Sequence, residues 1–187
     1  MEKIAVVSCS HHAWIESSKT MGKNLAYAVG FDSKSEVCSP TNKEDFIAVL
    51  KKNNYVVIHT HGTSESLINQ WEDNSQTVIV NKQEVANLPT FDNVLLVVLT
   101  ACQTAGGKDD NNIACELSKK ISKKGLVIAN RFVVFGSDYD FGEKNRKLGW
   151  VAYQNGRLII PEDRFPPTIT MADAYYKFCD CYYRNKI

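Results

Sequence analysis

The chain has 187 residues, 44% of them hydrophobic and 23% charged, and carries a net charge of +1. This length fits one domain, residues 1–187, with a sizeable core, and the near-neutral, evenly spread charge argues against a nucleic-acid or membrane surface. The opening "MEKIAVVSCS" holds only four consecutive apolar residues, too few for a signal-peptide core, and no run approaches the ~18 residues of a membrane span, so the expectation is a cytoplasmic protein.

Taken in chain order, "KIAVVSC" (3–9) reads as a buried strand and residues 16–30 as a helix closed by Gly30. "SEVCS" (35–39) is a short strand. Residues 41–53 form a helix capped by Thr41 or Asn42, with Phe46, Val49 and Leu50 as its apolar stripe. "YVVIHT" (55–60) is a strand, followed by a polar excursion (63–77), a short apolar run at Val78 to Val80 and a helical turn near 81–88. The aliphatic run 93–100 is a strand buried on both faces. Residues 111–124 are a helix with Ile113, Leu117 and Ile121 on one face and Gly125 at its stop, and "LVIANRFVVFG" (126–136) contains another strand. In residues 150–160, Asn155-Gly156 either turns a hairpin or ends a helix. Residues 170–184 read as a helix whose aromatics pack. The alternation implies an α/β fold, a mostly parallel central sheet flanked by helices.

Six cysteines, Cys9, Cys38, Cys102, Cys115, Cys179 and Cys181, contain no pair of CxxC motifs. Structural zinc is therefore not expected, and in a cytosolic protein they are reduced thiols.

Two strand ends carry chemistry. The run "YVVIHTHGTS" (55–64) ends on His59, His61 and Gly62, and "VLLVVLTACQTAGG" (94–107) ends on Cys102. In an open parallel sheet, ligands bind outside the carboxyl ends of the strands. A thiol and an imidazole meeting there suit nucleophilic attack on a carbonyl, because the imidazole favours the thiolate and later protonates the leaving amine. Gly62 lets a backbone N–H approach a developing oxyanion, and the Cys102 N–H is a further donor. Taken singly, a cysteine after an aliphatic strand is most often inert packing and a strand histidine merely hydrogen-bonded. The pair, in this order, is the stronger signal.

"HTHG" (59–62) and "LTACQTAG" (99–106) resemble the His-Gly and Ala-Cys motifs of the caspase-like cysteine peptidases, and "LTACQTAG" is most similar to the motif of the bacterial CHAT domains. The resemblance spans residues 3 to about 138. It implies a caspase-like three-layer sandwich and a Cys-His dyad endopeptidase with His61 as general acid/base, Cys102 as nucleophile and Gly62 as oxyanion glycine. It calls for no cofactor and no metal, and for a peptide or protein substrate. The chain departs from the metacaspase pattern: Thr100 and Ala101 precede Cys102, without the Asp that holds a basic P1 side chain there. The short segment 103–112 leaves no room for the cleavable caspase linker. The alternative is a catalytically silent caspase-like module that binds a regulatory protein partner. A nucleotide-binding domain is disfavoured because neither GxGxxG nor GxxxxGK[ST] occurs.

Around that dyad, the loop "SCSHH" (8–12) is placed by the same topology near the P1 pocket, making His11 and His12 candidate substrate-binding residues, with a solvated loop as the plainer role. In "FGSDYD" (135–140) the resemblance makes Asp138 the best match, and Asp140 the next, for an acidic residue selecting Arg or Lys at P1; a helix cap competes for Asp140. Metal binding by His59, His61 and Cys102 is set aside, since no third histidine or carboxylate lies at a recognisable spacing. "KDDNN" (108–112) reads as a solvated turn and helix cap.

Overall fold

A computed structural model of the chain describes residues 3–28, 35–133 and 149–161. Asp138, Asp140, Gly30, the helix expected at 170–184, and Cys179 and Cys181 lie outside the described residues.

The aliphatic runs form the centre of the sheet. Strands β1 (Ile4–Ser8), β3 (Tyr55–His59), β7 (Leu96–Leu99) and β8 (Leu126–Asn130) are buried at every position, as strands covered on both faces must be. With β2 (Glu36–Cys38) and the antiparallel pair β9 (Trp150–Gln154) and β10 (Arg157–Ile160), they form a seven-stranded sheet ordered β10-β9-β8-β7-β3-β1-β2 among the described residues. The five strands from β8 to β2 run parallel, and β9 runs antiparallel to both of its neighbours, β8 and β10. Asn155 and Gly156 turn the β9–β10 hairpin with φ of 47° and 76°, both left-handed, as a two-residue type I′ loop requires. This resolves the two readings of Asn-Gly in favour of the hairpin.

Side chains alternate across the sheet and feed two cores. On one face Val6, Tyr55, Val57, Leu96, Val98 and Ile128 pack with Met21 of α1 (His12–Ala28). On the other, Val7, Val56, Ile58, Val97, Leu99 and Val127 pack with Phe46 and Leu50 of α2 (Lys43–Lys52), Val85 of α3 (Lys82–Ala86) and Ile113 and Leu117 of α4 (Ile113–Ser118). Each fully buried large side chain contributes about 1.5–3 kcal/mol relative to exposure. The result is a mixed α/β fold with helices on both faces of a mostly parallel sheet.

Several expectations are corrected. Helix α1 begins at His12, not at residue 16, because its cap comes from another segment: the His12 N–H donates to the Glu72 carboxylate at 2.6 Å. Helix α4 stops at Ser118 rather than running to 124, since the Phe91 N–H takes the Lys120 carbonyl at 2.7 Å and Ile121 bridges Phe91 as extended chain. The polar excursion 63–77 is not a loop throughout. It contains β5 (Ser66–Gln70) and the start of β6 (Gln76–Asn81), which with β4 (His61–Gly62) form a small antiparallel sheet, β4-β5-β6. Its alternation was masked by polar residues on the inward face: Asn69 is fully buried, and its amide is matched by Ser10 through Ser10 N to Oδ1 (2.7 Å) and Nδ2 to Ser10 Oγ (2.9 Å). The cap of α2 is Asn42, which accepts from the Asp45 N–H at 2.9 Å. The strand expected at 93–100 is confined to Leu96–Leu99, because the Asn93 amide is used on the end of α2, donating to the carbonyls of Leu50 (2.9 Å) and Asn53 (2.8 Å).

Among the described residues, no helix is long and apolar enough to cross a membrane.

Candidate functional site

The strand order reverses direction at β1. From there the chain passes to β2 on one side, then returns to β3 on the other. The carboxyl ends of β1 and β3 therefore flank a topological switch point, where open α/β sheets bind ligands. The loop at residues 9–12 leaves β1 there, and His59 to Gly62 leave β3 there.

The β3 and β7 ends are locked together just before they diverge. Ile58 pairs with Leu99, the Thr100 N–H donates to the Ile58 carbonyl (3.0 Å), and the Thr100 hydroxyl donates to the same oxygen (3.2 Å). The Thr100 oxygen then accepts from His59 Nδ1–H at 2.9 Å. His59 Nε2 lies 3.0 Å from the Ser17 hydroxyl, which donates to the Trp14 carbonyl at 2.9 Å. His59 is thus a buried, bonded core histidine, the plainer of the two roles open to a strand histidine. Burial, and then the neighbouring His61, push its pKa down to about 3.

That shift has a measurable consequence. An unfolded histidine titrates near ~6.5, so between about pH 6.5 and 3 the unfolded chain binds a proton that folded His59 refuses. Stability then rises with pH across this window and is lost on acidification. The contribution is about 1.4 kcal/mol per pH unit, or roughly 2 kcal/mol between pH 6.5 and 5. Urea unfolding midpoints measured across this range should fall accordingly, and His59→Asn should flatten the slope by that amount.

Two residues further on, His61 is half-buried at the start of β4. Its ring lies against Trp14, centroids 4.8 Å apart at 58°, while Trp14 also covers His59 at 4.6 Å and 43°. The shared contact agrees with both histidines facing one side, as strand spacing implies. His61 pairs with Ile68 across β4–β5, which puts Gln70, two positions along the same face, within reach. His61 Nε2 lies 2.5 Å from Gln70 Oε1, and the Gln70 amide nitrogen donates to Asn74 Oδ1 at 2.9 Å. With its NH₂ so engaged, Gln70 presents an oxygen to the ring. Nε2 therefore carries the proton, and Nδ1 is the basic nitrogen.

Gly62 lies on the Cys102 turn. A Cβ at Gly62 would stand 2.8 Å from Ala101 Cβ, 3.1 Å from Thr104 Cγ2 and 3.3 Å from the Cys102 carbonyl oxygen. The Thr63 N–H donates to the Ser66 carbonyl (2.9 Å), so Gly62 and Leu67 are the non-hydrogen-bonded pair, and the Gly62 N–H points away from β5. Gly62→Ala should overpack this junction, with a loss of about 1–3 kcal/mol by urea midpoint and a displaced Cys102 turn.

Cys102 is itself half-buried between buried Ala101 and exposed Gln103. Gln103 holds a left-handed φ of 54°, a conformation unfavourable to side-chain-bearing residues. It is held there from three sides. The Gln103 N–H donates to the Phe132 carbonyl (3.1 Å), the Gly106 N–H to the Gln103 carbonyl (2.7 Å), and the Ala105 N–H to the Asn130 carbonyl (2.9 Å). The chain therefore reverses immediately after Cys102. Burial pushes Cys9 and Cys115 up, and burial followed by the Glu36 charge pushes Cys38 up to about 12; these remain protonated at neutral pH.

His11 and His12 do come to the His61 side of the sheet. The His11 N–H donates to the Gln70 carbonyl (3.1 Å), and both rings engage Glu72. The His12 side chain, then its backbone N–H, hold the Glu72 carboxyl below the usual range. In "KDDNN", Asn112 caps α4, accepting from the Cys115 N–H at 2.9 Å, and Asp109 pairs with Arg131. Gln70, Trp14 and Glu72 were not picked out by the sequence. The signal available was the turn "EDNS" (72–75), which between alternating segments marks a hairpin and would have folded Gln70 back beside His61.

Fold and site together define an α/β protein with an imidazole-glycine pair and a thiol turn at the adjacent carboxyl ends of two parallel strands. No family model matches the chain, and no curated protein matches it.

Proposed function

We propose that the chain is a caspase-like cysteine endopeptidase working through a Cys102–His61 dyad. The observation that carries this reading is the close approach of Gly62 to Ala101 and Cys102, which sets the histidine segment on the thiol turn. The strand order, with His-Gly after β3 and Ala-Cys after the neighbouring β7, is the arrangement the family resemblance implies.

In this mechanism His61 Nδ1 takes the proton of the Cys102 thiol, and the sulfur attacks the scissile carbonyl carbon. The carbonyl π-electrons move onto oxygen, where the Gly62 N–H donates to the oxyanion. Collapse breaks the C–N bond, and the His61 imidazolium protonates the departing amine. Water, deprotonated by His61, then hydrolyses the thioester and restores the thiol. Gln70 holds the ring and its tautomer throughout, as a positioning residue. A preference for Arg or Lys at P1 belongs to the proposal through Asp138 and Asp140.

The test is a mass-spectrometric map of cleavage in an unbiased peptide library. Cuts after one side-chain class, lost in Cys102→Ala, are the expected result. Strong turnover after Asp alone rejects the basic pocket, and no cleavage at all favours the silent binding module.

A further inference from the structure

The segments leaving β1 and β5 are stitched together beside His61. Ser10 and Asn69 bond each other twice, the His11 N–H takes the Gln70 carbonyl, and the His12 N–H takes Glu72. This stitching fixes the backbone beneath three side chains that the peptidase chemistry does not use. The His11 and His12 rings stack at 4.8 Å and 21°. His12 Nδ1 lies 3.0 Å from Glu72 Oε2, and His11 Nε2 lies 3.6 Å from the same oxygen. One donor atom from each of the three falls within 4.8 Å of the others, the one such cluster of His, Cys, Asp or Glu among the described residues.

We propose that His11, His12 and Glu72 form a binding site for a divalent transition cation of the Zn²⁺ class. Two imidazole nitrogens and one carboxylate oxygen match a three-ligand zinc set that leaves a fourth position to water. With metal–ligand bonds of about 2.0–2.1 Å, tetrahedral donors stand roughly 3.4 Å apart. The two separations to Glu72 bracket that spacing, and the imidazole donors, within 4.8 Å of each other, need a side-chain rotation to reach it. The donor set also selects the metal: imidazole suits Zn²⁺, Ni²⁺ and Cu²⁺, whereas Mg²⁺ and Ca²⁺ take oxygen ligands. Solvent reaches the cluster, since the His12 and Glu72 side chains are 78% and 57% exposed.

Glu72 follows Gln70 by two residues, so the site adjoins the segment that holds His61. The proposal itself stands apart from the dyad. Its experiment uses the full chain, stripped with a chelator and titrated with Zn²⁺ by calorimetry and with Co²⁺ by absorption. The expected result is one cation per chain, with visible Co²⁺ bands and no sulfur-to-metal charge-transfer band. His11→Ala and Glu72→Gln should each weaken binding by at least about ten-fold. Glu72→Gln retains an oxygen for the His12 N–H, so the start of α1 is preserved and circular dichroism should be unchanged. A thiolate charge-transfer band in the unaltered chain, an unchanged isotherm in either variant, or no binding by the unaltered chain overturns the proposal.

Discussion

Cys102→Ala is expected to reduce peptide cleavage by roughly 10⁴-fold or more, to the background of the assay, because removing the nucleophile of a covalent mechanism leaves only binding and oxyanion stabilisation. The fold should survive. Cys102 is half-buried on a turn whose shape is set by main-chain bonds of Gln103, Ala105 and Gly106, none of which involves its sulfur. Loss of one partly exposed sulfur is expected to shift stability by no more than about 1 kcal/mol. The control is internal. Cys115 is fully buried in the α4 core and its thiol donates to the Gly156 carbonyl at 3.4 Å. Cys115→Ala should thus lower stability while leaving the turnover of the folded fraction unchanged. Activity surviving Cys102→Ala, measured with a fluorogenic peptide, removes the assignment of the nucleophile.

The other large effect is at His61. His61→Ala should lower kcat by on the order of 10²–10⁴-fold, the range for a positioned general acid/base. The variant loses only a half-buried ring with Trp14 and Gln70 as partners, and is expected to stay folded. His59 provides the contrast. It is two residues away, at the end of β3, touches the same Trp14, and is buried between Ser17 and Thr100. His59→Asn should act mainly on stability, through the two hydrogen bonds it alters and the acid dependence it removes. Two imidazoles so close in sequence therefore separate by readout, one in kcat and the other in unfolding midpoint. Equal kcat losses in folded His59→Asn and His61→Ala would dissolve that division of labour.

Most of the sheet was legible because its central strands are built on unbroken aliphatic runs. Runs such as Val94 to Leu99 or Val56 to Ile58 have no polar face to give to solvent and can only be central. The neighbouring placement of the β1, β3 and β7 ends followed from parallel α/β order, and with it the approach of residues 8–12 to His61. The limits of α1 and α4 were not legible, since each is set by a residue distant in sequence, Glu72 for one and Phe91 for the other. The small sheet β4-β5-β6 was lost for a different reason. Its inward position Asn69 is polar and is satisfied only by Ser10, 59 residues earlier, so hydropathy alternation does not register it. Gln70 disappeared with that sheet. The role of His59 as a core residue, by contrast, was available from its place in a buried run, where a bonded histidine is the usual outcome.

The central claim is that the Cys102 thiol and the His61 imidazole work in one cleft. It is tested most directly by the rate at which a small alkylating agent modifies each cysteine, followed by mass spectrometry at neutral pH. Cys102 should react ahead of Cys9, Cys38 and Cys115, and His61→Ala should slow Cys102 alone by about ten-fold or more, since the imidazole stabilises the thiolate. Equal rates at Cys102 in the two proteins would contradict the account.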